Sequence, residues 1–171
     1  MVDIDKTDGL YRLLKALKVY NIETEYKFFI NNGISDAKSL NNYLLSQLGL
    51  DYLGEIDESK FEDVLPYFSD LKNVKKFTSK QLSNMLNQYS ESRDKGLKQD
   101  IINANLKDVL LLACAYKMRH TDINLNDLVQ TCNMGLIEAI DRFDANSRIK
   151  FDTYLNYWVL KAITNEFTIG E

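Results

Sequence analysis

The stretch RFDANSRIKFDTYLNYWVLKAITNE, residues 142–166, decides how the rest of the chain is interpreted. If residues 150–166 are helical, a row of rings and one cation recurs at steps of three and four residues along one side. This row is Phe151, Tyr154, Tyr157, Trp158 and Lys161. The opposite side is aliphatic, with Leu155, Val159, Ala162 and Ile163. Such a stripe is enough to seat a helix on a core, so the rings are not obviously needed for packing.

Two interpretations of the ring row are open from its pattern. Ring faces stack on unpaired bases while cations contact phosphates, so exposed rings beside Arg148, Lys150 and Lys161 suit single-stranded nucleic acid. The alternative is that the rings are core, because aromatic residues at helical spacing are more often buried than functional.

The composition predicts an all-α protein. The chain has 171 residues, 45% hydrophobic and 27% charged, with one proline and seven glycines. These values are ordinary for a globular protein and favour helices joined by short loops. The length suits one domain or a domain with a small companion.

Three short helices are predicted before residue 50. The first runs from about residue 7 to 21, with Thr7 or Asp8 as its cap, and the second covers about 23–30. The third opens at Ser35 or Asp36 and ends at Gly49, and its pattern favours a packing helix over a DNA recognition helix. The acidic stretch 51–63 is the predicted linker. We therefore expect a small helical module at 1–60 and a helical domain at 61–171.

The net charge and the scarcity of reactive residues argue against several classes of protein function. The net charge of −4 argues against a protein that grips duplex DNA unaided, although residues 142–161 hold four cations against two acids. Cys114 and Cys132 lack a CxxC spacing and are predicted to be buried, reduced thiols, and His120 has no second ligand near it. Without a Gly-rich phosphate loop, a metal cluster or a nucleophile paired with a base, we expect no enzyme, cofactor or metal. No leader or long apolar run is present, which predicts a soluble cytoplasmic protein without a membrane partner.

Five short motifs occur in a fixed order: Ile102–Lys107, Asp127–Gln130, Asn133–Leu136, Lys150–Tyr154 and Tyr157-Trp158. Their order and spacing over residues 96–168 resemble region 2 of the bacterial sigma-70 family of RNA polymerase initiation factors. A weaker resemblance to region 1.2 begins near Pro66 and includes Thr78 as a predicted helix cap. The implied fold is a helical bundle like sigma-70 domain 2, preceded by the N-terminal module. Many primary factors of this family mask their DNA-binding surfaces with an acidic N-terminal region, but no motif in residues 1–60 supports that identification.

The resemblance implies a contact with core RNA polymerase. In the family, the helix that carries the second and third motifs binds the clamp coiled coil of the β′ subunit. Carried over, the polymerase-binding residues are Asp127, Gln130, Thr131 and Asn133, all expected to point outward. Thr131 replaces a family glutamate and Cys132 a family glycine, so one charge available to the partner is absent.

The resemblance also implies recognition and melting of the promoter minus-ten element. In the family, the second-position adenine of the non-template strand is flipped into a protein pocket, and aromatic residues stabilise the unpaired strand. The residues at matching positions are Phe143, Arg148, Lys150, Phe151, Thr153, Tyr154, Tyr157, Trp158, Lys161 and Thr164. Tyr157 replaces a tryptophan and Lys161 a glutamine, so base preference at the first position is expected to differ.

One alternative function stays open: a polymerase-binding regulatory module without promoter melting. That alternative predicts Tyr154, Tyr157 and Trp158 to be buried or misdirected, or an N-terminal module that masks them. An anti-sigma factor or a partner subunit is a further candidate partner. Complete family members continue into regions 3 and 4, so the resemblance implies either a fragment or a naturally reduced factor.

Overall fold

The computed structural model describes residues 3–49 and 77–167, and within these ranges the secondary structure is entirely helical. This confirms the predicted all-α class. The predicted linker, the boundary near residue 60 and the turn at Pro66 lie outside the described residues. The helices are α1 Gly9–Ala16, α2 Ile22–Asn31, α3 Ala37–Leu48, α4 Ser79–Ser92, α5 Lys95–Arg119, α6 Leu125–Arg142 and α7 Phe151–Phe167, with a 3-10 turn at Ala145–Ser147 between the last two.

Side-chain caps set the starts of the helices. Asp8 accepts a hydrogen bond from the Tyr11 backbone N–H at 2.8 Å, and Asp36 forms a capping box with Ser39. Thr78 caps α4 as predicted, in a capping box with Gln81. Asn124 caps α6, because its side chain accepts a hydrogen bond from the Asp127 N–H at 3.1 Å.

Two helix ends in the N-terminal part use left-handed residues. Gly49 has φ of +78° and ends α3 as predicted. Helix α1, in contrast, ends at Ala16 and not near residue 21. Lys18 adopts φ of +58°, and the Val19 N–H bonds back to the Leu14 carbonyl.

Helices α5, α6 and α7 form the centre of the bundle, and α6 and α7 pack at very short range. A Cβ added at Gly135 of α6 would lie 2.6 Å from Val159 Cα and 2.8 Å from the Trp158 carbonyl oxygen in α7. The absence of a side chain at Gly135 therefore permits this approach. The buried Asn105 amide of α5 donates to the Ile101 carbonyl at 2.8 Å, which meets part of its need for partners.

The two cysteines and the single histidine lie in contacts within the bundle. Cys114 and Cys132 are both buried and form no disulfide, as predicted. The His120 ring stacks on Tyr116, with centroids 4.0 Å apart. Within the part of the chain that the structure describes, no helix combines the length and apolarity that crossing a membrane requires.

Candidate nucleic-acid interface

Helix α7 is covered on both sides. Its aliphatic side packs on α6, while the ring row lies beneath the first three helices, which together with their connections (residues 9–48) we call the cover. Tyr154, Tyr157 and Trp158 are only 0%, 3% and 2% exposed. The rings are therefore core in this structure, as the second interpretation of their pattern holds, and the exposed row of the first interpretation is wrong. The cover supplies a second apolar layer that the sequence pattern of α7 does not reveal.

The C-terminal end of α1 makes the most specific contacts with the ring row. The last carbonyls of a helix lack partners within the helix and carry its partial negative charge. Tyr154 Oη donates to the Ala16 carbonyl at 3.0 Å, and Trp158 Nε1 donates to the Leu17 carbonyl at 3.2 Å. Side chains of α7 thus supply the hydrogen-bond donors that the last carbonyls of α1 lack.

The Arg142 side chain links this contact to α6. The Arg142 guanidinium donates to the Lys18 carbonyl at 2.7 Å and pairs with Glu138 at 2.8 Å. It lies over two rings, 4.5 Å from the Tyr20 centroid and 4.3 Å from that of Trp158. Tyr20 meets Trp158 edge-on at 5.3 Å and donates to the Glu138 carboxylate at 3.3 Å.

Two polar residues of the candidate site, Lys161 and Thr153, are also engaged by the cover. Lys161 forms an ion pair with Glu25 of α2. Thr153 is buried and donates to the Asn41 side chain of α3 at 2.9 Å. Thr164 is half-buried, with its hydroxyl 3.2 Å from the Lys161 carbonyl.

Burial changes the chemistry of two phenols in the row. Loss of solvation raises the pKa of Tyr154, although a hydrogen bond with Ser147 opposes the shift. Burial, with the nearby Glu25 carboxylate as a second cause, raises the pKa of Tyr157 more strongly. Both phenols therefore stay protonated at neutral pH. They can stack or donate, but they add no negative charge that would repel phosphate.

Two cations of the candidate site are accessible to solvent. Arg148 and Lys150 are exposed in the connection between α6 and α7, where Arg148 takes a left-handed φ of +63°. They border a groove of about 510 Å³ beside α4. Phe143 and Phe151 also line it, both largely buried and meeting edge-to-face at 5.6 Å. The structure thus separates the covered rings and Lys161 from the accessible cations Arg148 and Lys150.

The predicted polymerase-binding residues lie on α6, but one of them is not outward. Asp127 and Gln130 are exposed and Asn133 is half-buried. Thr131 is 8% exposed, so its expected outward position is wrong. It precedes Gly135 by four residues and hence shares the side of α6 that faces α7.

Two apolar side chains on α6 were missed by sequence reasoning. Met134 is 64% and Ile137 38% exposed, and both line a groove of about 570 Å³ together with Asp127 and Gln130. Tyr20 of the cover and Trp158 of α7 also line this groove. Apolar residues on the polar face of an amphipathic helix are a signal that could have indicated them.

The comparisons with known proteins concern mainly the C-terminal part of the chain. Residues 101–168 match the family described as sigma-70 region 2. This part of the chain is a sigma-70 region 2. In the structure, region 2 thus takes in α6, α7 and most of α5.

Curated relatives extend the similarity beyond the residues that match region 2. RNA polymerase sigma factor SigA of Mycoplasma pneumoniae is 32% identical over 114 residues, which cover 66% of this chain and 20% of that protein. RNA polymerase sigma factor RpoD of Neisseria gonorrhoeae is 26% identical over 168 residues, covering 94% of this chain and 26% of that protein. The chain therefore spans about a fifth to a quarter of the length of these relatives.

Proposed function

We propose that the chain is a sigma-type transcription initiation factor. It binds core RNA polymerase through α6, at the clamp coiled coil of the β′ subunit, and recognises the promoter minus-ten element through α7 and the connection before it. The observation that carries this proposal is the match of residues 101–168 to sigma-70 region 2. In this role the chain works in the cytoplasm, is not an enzyme and needs no cofactor.

Helix α6 offers a surface suited to a protein partner. The exposed Asp127 carboxylate and Gln130 amide line the same groove as the apolar pair Met134 and Ile137. Aromatic and aliphatic anchors surrounded by polar contacts are the usual composition of a protein interface. A carboxylate at position 127 is suited to an arginine of the partner, because such pairs are strong when shielded from water.

The DNA-binding half of the proposal requires the cover to leave α7. Flipping a base costs a few kcal/mol, and stacking on an aromatic ring provides about 1–3 kcal/mol per base. Tyr154, Tyr157 and Trp158 can provide this stacking only when their faces are accessible. Arg148 and Lys150 are accessible already and are suited to make the first phosphate contacts.

Replacing both Asp127 and Gln130 with alanine should weaken binding to core polymerase by about tenfold or more. A hydrogen bond that involves a charged group contributes about 1.5–3 kcal/mol, and about 1.4 kcal/mol is a factor of ten in affinity. The measurement is titration of labelled chain with core polymerase. Asn126→Ala is the matched control, because Asn126 is exposed on the same helix and is not a predicted contact. Unchanged affinity of the double variant would show that α6 is not the polymerase-binding helix.

Replacing Arg148 and Lys150 with glutamine should weaken capture of a labelled non-template minus-ten strand by the chain bound to core polymerase. Each phosphate contact with single-stranded DNA contributes about 0.7 to the slope of log K against log salt concentration. The slope should therefore become shallower by about 1.4. Lys95→Gln with Lys107→Gln removes the same charge from exposed positions on α5 and should leave the slope unchanged. An unaltered slope in the Arg148 and Lys150 variant would exclude these two cations from the strand contact.

Burial of the ring row favours a second candidate function, a polymerase-binding regulatory module that does not melt promoters. The two functions differ in one measurement. A melting factor bound to core polymerase captures the minus-ten strand with sequence preference, whereas a regulatory module binds polymerase without strand capture.

A further inference from the structure

We propose that Tyr20 of the cover forms part of the polymerase-binding surface, as an aromatic anchor beside Met134 and Ile137 of α6. This inference rests on the proposed function, since it takes α6 as the polymerase-binding helix. It adds to that surface a contact from outside region 2, which no motif in the sequence indicates. The partner segment that it requires is a basic helix of core polymerase.

The first argument is that one groove joins the three apolar side chains. Tyr20 lies in the connection between α1 and α2, far from Met134 and Ile137 in the sequence, yet all three line the groove of about 570 Å³ on α6. Among the described residues six large apolar side chains are exposed, and these are three of the six. Exposed apolar side chains that gather in one place are typical of a protein-binding site.

The second argument is that the Tyr20 side chain is held in place while it stays 63% exposed. Its hydroxyl donates to the Glu138 carboxylate, the Arg142 guanidinium lies over its ring, and Trp158 meets that ring edge-on. A side chain that is fixed before binding loses little conformational entropy on association. Tyrosine is also among the residues that most often dominate the binding energy of an interface. The exposed ring is therefore suited to anchor a partner.

The charges of the groove indicate the chemistry of the partner. Four acidic residues and one basic residue line it: Asp127, Glu138, Asp141 and Glu166 against Lys161. Glu138 and Asp141 also pair with basic residues of the bundle, and Lys161 pairs with Glu25. A partner helix therefore meets carboxylates around an apolar centre. Arginine is suited to both, because its guanidinium pairs with carboxylates and stacks on aromatic rings.

The test titrates the labelled full chain with core polymerase in the absence of DNA, because Tyr20 belongs to the cover and its contact precedes strand capture. Tyr20→Ala should weaken binding by about tenfold, since it removes an aromatic anchor. Tyr20→Phe keeps the ring and should bind about as tightly as the natural chain. Phe28→Ala is the matched control, because Phe28 is a 45% exposed ring of the same cover that does not line the groove.

A second measurement separates direct contact from an effect on the stability of the cover. A photo-activated cross-linking residue in place of Tyr20 should join the chain to the β′ subunit of core polymerase. The same residue in place of Phe28 should not. The inference requires both the loss of affinity and the cross-link, and the absence of either one overturns it.

The variant with Asp127→Ala and Gln130→Ala, titrated in parallel, distinguishes failure of this inference from failure of the proposed function. If that variant binds weakly while Tyr20→Ala binds like the natural chain, the role of Tyr20 is overturned and α6 remains the polymerase-binding helix. If both variants bind like the natural chain, α6 is not that helix, and the inference fails together with the proposed polymerase contact.

Discussion

Gly135→Ala is expected to destabilise the chain by about 3 kcal/mol, which is the upper part of the usual range for an overpacked site. The new methyl group would lie 2.6 Å from Val159 Cα, 2.8 Å from the Trp158 carbonyl oxygen and 2.9 Å from the Val159 nitrogen. All three atoms are backbone, so no side chain can rotate away. Helices α6 and α7 would have to separate along the side that seats the ring row.

Thermal and urea unfolding, followed by circular dichroism, measure this effect. For a chain of this size, a loss of about 3 kcal/mol corresponds to a fall in Tm of about 6–12 °C. Gly96→Ala is the matched control, because Gly96 is also helical and an added Cβ would meet only a side-chain oxygen of Asp94 at 3.5 Å. It should be neutral or slightly stabilising, since alanine favours a helix over glycine. Equal stability of the Gly135 variant and the natural chain would contradict the close approach of the two helices.

Local patterns in the sequence were enough to predict most helix starts. Asp8, Asp36 and Thr78 each accept a hydrogen bond from a backbone N–H three residues ahead, so the signal lies within one turn. Gly49 likewise marks the end of α3 by its own conformation. The C-terminal domain was recognisable because five motifs kept their order.

The covered state of α7 was not predictable from such patterns. The partners of Tyr154 and Trp158 are the backbone carbonyls of Ala16 and Leu17, about 140 positions earlier in the chain. Every residue has a carbonyl, so this contact leaves no side-chain signature. Thr131 shows a smaller failure of the same kind. Its position on α6 depends on which side α7 approaches, and the glycine four residues later is the only local indication.

Fixing the cover to α7 is expected to abolish strand capture, with a loss of at least about a hundredfold even in the presence of core polymerase. The variant carries Glu25→Cys and Lys161→Cys, which replace the ion pair between α2 and α7, and a short bis-maleimide linker joins the two thiols. A chain that is held closed has almost no binding-competent population, and apparent affinity falls in proportion to that population. Labelled minus-ten strand and core polymerase are titrated separately against the linked chain.

The natural cysteines do not interfere with this design. Cys114 and Cys132 are fully buried, and burial raises the pKa of the Cys132 thiol to about 12, so it supplies almost no reactive thiolate. The unlinked double variant controls for loss of the Lys161 charge, and a linker with a reducible bond should restore strand capture on reduction. If the linked chain captures the strand as well as the unlinked one, the ring row does not need to be uncovered, and α7 contacts the strand by another side. Loss of strand capture with undiminished polymerase affinity would instead show that the cover blocks DNA alone and leaves α6 accessible.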